Sequence, residues 1–266
     1  MDTAEFRELV WQKGRELFRE MPWREDTRPY YVLVSEIMLQ QTQVDRVIPK
    51  FEAFIAAFPT IAALAKASLA EVLKLWGGLG YNRRAKFLHE AARKIMSDYE
   101  GVFPETLEGL TSLPGVGPNT AGAILAYSFN QSVVFIETNV RTVYFQYFFH
   151  DQPTVTDKEL KELVAATVDA EHPREWYWSL MDYGSFLKRS GAGRNSKSHH
   201  YKKQSALKGS VREVRGQIVK ELSQGDKELN VLKAALAADE RFPMALEGLI
   251  RDGLVDETNE KLHLAR

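Results

Sequence analysis

Residues 113–124 read Leu113-Pro114-Gly115-Val116-Gly117-Pro118-Asn119-Thr120-Ala121-Gly122-Ala123-Ile124. Two glycines two apart permit positive φ and close approach of another backbone. A helical pattern, Asn119–Phe129, starts straight after them, and a short one, Leu107–Leu110, comes just before. The turn therefore offers unpaired N–H groups from a helix N-terminus, an arrangement that takes an anion such as a DNA phosphate. Alone, a Pro-Gly-x-Gly stretch is an ordinary tight turn. With helices on both sides it predicts a helix-hairpin-helix element, with Gly115, Val116, Gly117, Asn119 and Thr120 as candidate DNA-binding residues.

Working outward, the chain reads as helical almost throughout. Residues 4–20 place Phe6, Val10, Leu17 and Phe18 on one stripe before Pro22 breaks the run. Helical periods follow over 29–44, 47–57, Thr60–Ala67, Leu69–Leu75 and Arg84–Tyr99, and beyond the hairpin over 133–148, Lys158–Val168 and Glu175–Leu187. Val133–Ile136 alone looks β-like. Lys188–Lys208 lacks an apolar period and reads as a loop. Three short helices over 211–252 and a hairpin turning at Asn259 suggest a winged-helix-like module, the alternative being a plain helical cap. The expected architecture is all-α, in three parts: a six-helix subdomain over 27–132, a second helical subdomain from 1–26 and 133–205, and the C-terminal module over 206–266.

The bulk composition narrows the chemistry. The 266 residues are 44% hydrophobic and 27% charged, with a formal charge of −1. No apolar run approaches the roughly 20 residues that span a bilayer, and the acidic, amphipathic start MDTAEFRELVWQ is no secretory signal. A cytoplasmic, nucleoid-associated monomer is expected. With no cysteine in the chain, thiolate nucleophiles, sulfur-held zinc and iron–sulfur clusters are excluded. No metal site is expected.

Four further stretches carry chemistry. In Ser35-Glu36-Ile37-Met38-Leu39-Gln40-Gln41-Thr42, Glu36 is the one charged residue between Arg28 and Asp45, and its helical neighbours Val32, Leu33 and Ile37 are apolar. Such a wall raises a carboxyl pKa and suits a general acid; read alone, a structural glutamate paired with an Arg or capping a turn is the favoured reading. Gln40 and Gln41 lie close by as candidate duplex probes. A second carboxylate, Glu137, opens Glu137-Thr138-Asn139 at the end of an apolar run, where a helix-capping role is the plain alternative. Cleavage of a glycosidic bond asks for two carboxyl groups, one acid and one to steady the cationic sugar or activate water. Trp76-Gly77-Gly78-Leu79-Gly80-Tyr81-Asn82-Arg83-Arg84 offers a stacking ring in Tyr81 and phosphate contacts in Arg83 and Arg84. Lys188–Arg215 holds nine basic residues, Lys197, Lys202 and Lys203 among them, against Glu213; this fits contact with a duplex backbone or a solvated linker.

In this order, MPWR, RPYYVLVSEIMLQQTQVDRVIPKF, WGGLGYNRRAKFLHEAA, LPGVGPNTAGAILA and IETNV resemble the MutY-like adenine glycosylases of the helix-hairpin-helix superfamily over about residues 20–187. The resemblance implies that Glu36 protonates an adenine at N7, that Gln40 and Tyr81 contact or wedge the opened duplex, and that Asn139 supports catalysis. It implies backbone binding by the hairpin, with a monovalent cation on its carbonyls. Three departures stand out. Glu137 occupies the place of the family's essential Asp. The cluster cysteines that follow the segment Met181–Gly184 are missing, the basic loop standing there instead. The tail of about 60 residues is too short for the MutT-like domain that reads 8-oxoguanine. Asn119 stands where bifunctional relatives carry their lyase Lys, so a monofunctional glycosylase is implied.

The leading expectation is excision of a mismatched adenine, opposite G or 8-oxoG, from double-stranded DNA. A thymine or uracil mismatch glycosylase, or a non-catalytic helix-hairpin-helix DNA-binding protein, are the alternatives.

Overall fold

The computed structural model describes residues 1–149, 152, 154–193, 206–236 and 238–265. It forms two compact units: Met1–Val32, Glu105–Ser112 and Val116–Lys203 make the first, and Leu33–Pro104, Leu113–Gly115 and Gln204–Arg266 the second. Among the described residues no helix is long and apolar enough to cross a membrane.

The first unit joins distant parts of the chain. Helix α1 (Thr3–Glu16) begins at Asp2, whose carboxylate accepts from the Ala4 and Glu5 amides in a capping box. Its buried Phe6 and Val10 pack toward α11 (Asp157–Thr167) and α12 (Pro173–Arg189). At Gly14 an added Cβ would lie 2.0 Å from Ser179 Oγ, so the α1 backbone rests directly on α12. The helix stops at Glu16, short of the expected Glu20, and Phe18 is exposed. The cause is Asp182, buried on α12, which accepts from the Arg19 amide at 3.2 Å and Arg19 Nε at 2.6 Å, pulling the chain out of helical path. Arg24, in the one-turn α2 (Pro22–Glu25), adds a bond to the same carboxylate at 2.7 Å. Helices α8 (Leu107–Thr111), α9 (Pro118–Phe129) and α10 (Thr138–Tyr147) complete the unit. Val133–Ile136 forms no strand: the Tyr177 hydroxyl donates to the Val133 carbonyl at 2.7 Å, and Phe135 stacks on the Tyr177 ring.

The second unit starts within α3 (Pro29–Leu39) and continues through α4 (Val44–Ala57), α5 (Ile61–Lys66), α6 (Leu69–Trp76) and α7 (Arg83–Asp98), around Leu33, Phe51, Phe54 and Trp76. The C-terminal module belongs to this unit. It runs α13 (Val211–Leu222), β1 (Lys227–Glu228), α14 (Leu229–Ala235), α15 (Phe242–Arg251), β2 (Val255–Thr258) and β3 (Lys261–Leu264). The antiparallel sheet has the order β1-β3-β2, the winged-helix pattern. Asn259 and Glu260 both adopt positive φ between β2 and β3, as a two-residue hairpin turn demands. The two-residue β1 is too short to leave a periodic signal.

Candidate active site and nucleic-acid interface

In the second unit, α3 carries Glu36 half-buried among the fully buried Val32, Leu33 and Ile37. The end of this helix is fixed by Arg84. Its Nη1 donates to the carbonyls of Ile37 (2.8 Å), Met38 (2.8 Å) and Gln40 (2.7 Å). Its Nη2 donates to Thr42 Oγ1 (3.1 Å) and the carbonyls of Leu79 (3.2 Å) and Gly80 (3.0 Å). One buried guanidinium thus ties the segment after Glu36 to the loop before α7, and burial lowers its pKa to about 10. The expected phosphate contact by Arg84 is therefore corrected: its Nη groups are committed to carbonyls and a hydroxyl inside the protein. Its neighbour Arg83 is 59% exposed, 3.8 Å from Asp252.

On either side of this clamp sit Gln41 (φ 57°) and Tyr81 (φ 49°), both left-handed without being glycine. Such conformations persist where surrounding structure holds them, and they concentrate at functional sites. Gln41 is exposed; Gln40 and Tyr81 are half-buried. At Gly115 (φ 77°) an added Cβ would lie 2.7 Å from Phe87 Cβ, so this hairpin glycine seats on α7.

The first unit holds the remainder. Gly117 is the N-cap of α9, and nothing lies within 4 Å of where its Cβ would be. Glycine is a favoured residue at such an N-cap, and the open space leaves the first N–H groups of α9 uncovered by a side chain. Val116 and Thr120 have buried side chains, in keeping with the backbone role expected of the hairpin. Asn119 makes two bonds, Nδ2 donating to the Ile136 carbonyl (2.9 Å) and Oδ1 accepting from the Ile136 amide (3.3 Å). It clamps the residue before Glu137, a use that its expected DNA contact left out.

Glu137 occupies the N-cap position of α10, yet its side chain makes no capping bond. Desolvation raises its pKa, and the positive charge of Lys188 opposes that rise. Asn139, two residues on, donates weakly to Met181 Sδ, and its Oδ1 is a buried acceptor with no hydrogen-bond partner. At Gly184 an added Cβ would meet the Asn139 carbonyl at 2.3 Å, so α10 starts flush against α12. Met181, Gly184 and Lys188 form one stripe of α12, at i, i+3 and i+7. The sequence pointed to Glu137 and Asn139; Lys188, known there only as part of a basic run, gave no sign of this neighbourhood. Lys197, Lys202 and Lys203 lie outside the described residues.

A carboxylate that is desolvated, not used as a cap and set beside an unpartnered amide oxygen is suited to act on a positive centre. Residues 34–166 match the model of the HhH-GPD superfamily of base excision DNA repair proteins. The chain belongs to this superfamily. HhH-GPD relatives include an adenine DNA glycosylase of Mycobacterium tuberculosis (strain CDC 1551 / Oshkosh), 35% identical over 90% of this chain and 86% of that protein. One from Buchnera aphidicola subsp. Baizongia pistaciae (strain Bp) is 34% identical over 64% of this chain. The chain spans about half of the Buchnera protein, 48% of its length. Among solved HhH-GPD folds, a thermostable thymine-DNA glycosylase superposes with a TM-score of 0.62 at 26% identity, over 69% of this chain and 88% of that one. The iron–sulfur cluster of HhH-GPD relatives does not fit here, because the chain has no thiolate to hold it. Among the described residues no three His, Asp or Glu side chains converge as a metal site.

Proposed function

We propose that this protein is a monofunctional DNA glycosylase that hydrolyses the bond between a mismatched adenine and its deoxyribose. The observation that carries the reading is Glu137, a half-buried, desolvated carboxylate at a helix N-cap that does no capping. The target nucleotide is flipped out of double-stranded DNA, costing a few kcal/mol. Glu36 gives its proton to the adenine, so the base leaves neutral as the bond to the sugar breaks. The sugar is left cationic, and the Glu137 carboxylate steadies it. Water adds to the sugar carbon and gives up a proton, leaving free adenine and an abasic site. Gly115 and Gly117 admit the strand backbone to the N–H groups of α9. Gln40, Gln41 and Tyr81 meet the opened stack, Arg83 meets a phosphate, and a monovalent cation on the hairpin carbonyls adds to the backbone contact. Support for adenine comes from the adenine glycosylases among the relatives, and the opposing base is G or 8-oxoG.

Duplexes carrying A·G, A·8-oxoG, T·G and U·G, incubated with the protein and then treated with alkali, test this. Cleavage confined to the adenine duplexes, and abolished in Glu36→Gln, is expected. Cleavage of T·G or U·G instead would move the substrate to a pyrimidine. Strand scission without alkali would overturn the monofunctional claim and direct attention to the Lys188 amine beside Glu137.

A further inference from the structure

Within its unit the C-terminal module meets α7 and the loop before it through Arg212 and Asp252. Its wing tip carries Asp256, Glu257 and Glu260 against Lys261, a poor surface for phosphates. Arg215 on α13 donates to Asp252 Oδ2 at 2.5 Å. Arg83 approaches the other oxygen of Asp252, and Lys86 Nζ donates to its carbonyl at 2.9 Å. Arg212, also on α13, donates to the hydroxyl oxygen of Tyr81, and its guanidinium carbon sits 4.8 Å from the centre of that ring. The Arg84 guanidinium carbon lies 5.5 Å from the same ring centre. The ring is thus held by one cation from α7 and one from α13, 131 residues beyond it, on a left-handed backbone that cannot be relaxed cheaply.

We propose that Arg212 is a positioning residue for DNA engagement: the winged-helix module holds the Tyr81 ring so that the Gly77–Tyr81 loop meets an opened duplex already ordered. The inference rests on the glycosylase reading above. A side chain fixed beforehand spares the ordering cost at binding, and that gain belongs to the mismatch complex, where the ring is used. A phosphate contact would instead strengthen binding to every duplex.

The test measures Kd for an A·G duplex and for a matched duplex, with the single-turnover rate at saturating enzyme, in wild type, R212A, R212K, Y81A and R212A/Y81A. In R212A the A·G Kd rises about tenfold, while the matched Kd and the saturated rate stay within about twofold. R212K, which keeps the cation over the ring, recovers part of the loss. In the Y81A background R212A adds nothing, as for two residues acting through one contact. An unchanged A·G Kd in R212A, an equal loss on both duplexes, or additive losses in the double variant would each overturn the inference. Should R212A fail to fold, R212K decides: a rise of about threefold or more for A·G alone supports it, and an unchanged Kd sinks it. If wild type cleaves no adenine duplex, the glycosylase reading itself fails; if it does and R212A matches it throughout, only the Arg212 inference falls.

Discussion

Glu137 is held where its charge is unwelcome. Its folded pKa lies above the unfolded value of 4.5, so folding favours the protonated form. Stability from this group is greatest below about pH 4.5 and is lost as pH rises through the folded pKa. Glu137→Gln therefore raises the melting temperature at pH 7.5, a gain that disappears at pH 4, while base release falls by about 100-fold or more. The opposite result in the melts, a loss at pH 7.5, would mean that the carboxylate is structural. In the proposed role the ionised form steadies the sugar, so activity is expected to decline as pH drops through the same pKa, as a pH–rate profile would show. Lys188→Met removes the positive charge that restrains the shift and moves the acid limb of the rate profile to higher pH. Residue identity alone hid some of this. Arg83 and Arg84 are adjacent and look alike in sequence, yet the first is exposed and the second buried. Only a helix end nearly fifty residues earlier, with three carbonyls converging, tells them apart.

Helices were legible where the period was long. The apolar stripes of α7 and α12 gave their extents to within two residues at each end, and Thr60 caps α5 as its side chain suggested, accepting from the Ala63 amide. What the period could not carry was the contact between elements. Gly184 looks like any glycine in a helix, which ordinarily costs about 1 kcal/mol relative to Ala. Here it lets α10 begin directly on α12. Gly184→Ala improves helix propensity yet destabilises the fold by about 1–3 kcal/mol, as overpacking does, and displaces Glu137 and Asn139 together. Urea unfolding and single-turnover rates on one preparation check both effects; a stabilised, fully active variant would refute the close approach. Asn119→Ala frees the segment before Glu137 from two backbone bonds. A lower excision rate with little change in duplex affinity is expected, since the residue is committed to Ile136.

At the scale of the molecule, a net charge of −1 conceals a basic stretch whose charge would bind a duplex backbone. The structure does not describe Lys197, Lys202 and Lys203, so the prediction rests on charge. Replacing all three with alanine lowers the slope of log K against log salt by about 2 to 3. An unchanged slope from binding isotherms would make the stretch a bystander. The helix-hairpin-helix identity was readable because turn chemistry is local, while the tail left a winged-helix-like module and a plain helical cap both open. The assembly of the first unit was not, because nothing local links Arg19 and Arg24 to Asp182. That buried carboxylate and its partners are worth about 3–5 kcal/mol to break from one side, so Asp182→Asn is expected to be among the most destabilising single changes, as denaturant titration would reveal.

The same junction sets an order of events during synthesis. Arg19 and Asp182 are separated by 163 residues. At about 5–20 residues per second, a ribosome needs roughly 8 to 30 s to cover that distance. For that time the apolar stripe of α1 has been made and its partners on α11 and α12 have not. Nascent chains arrested before residue 182 should leave Phe6 and Val10 open to proteases and to holding chaperones. Chains arrested well after α12 has left the exit tunnel should protect them, so that α1 packs only once α12 has emerged.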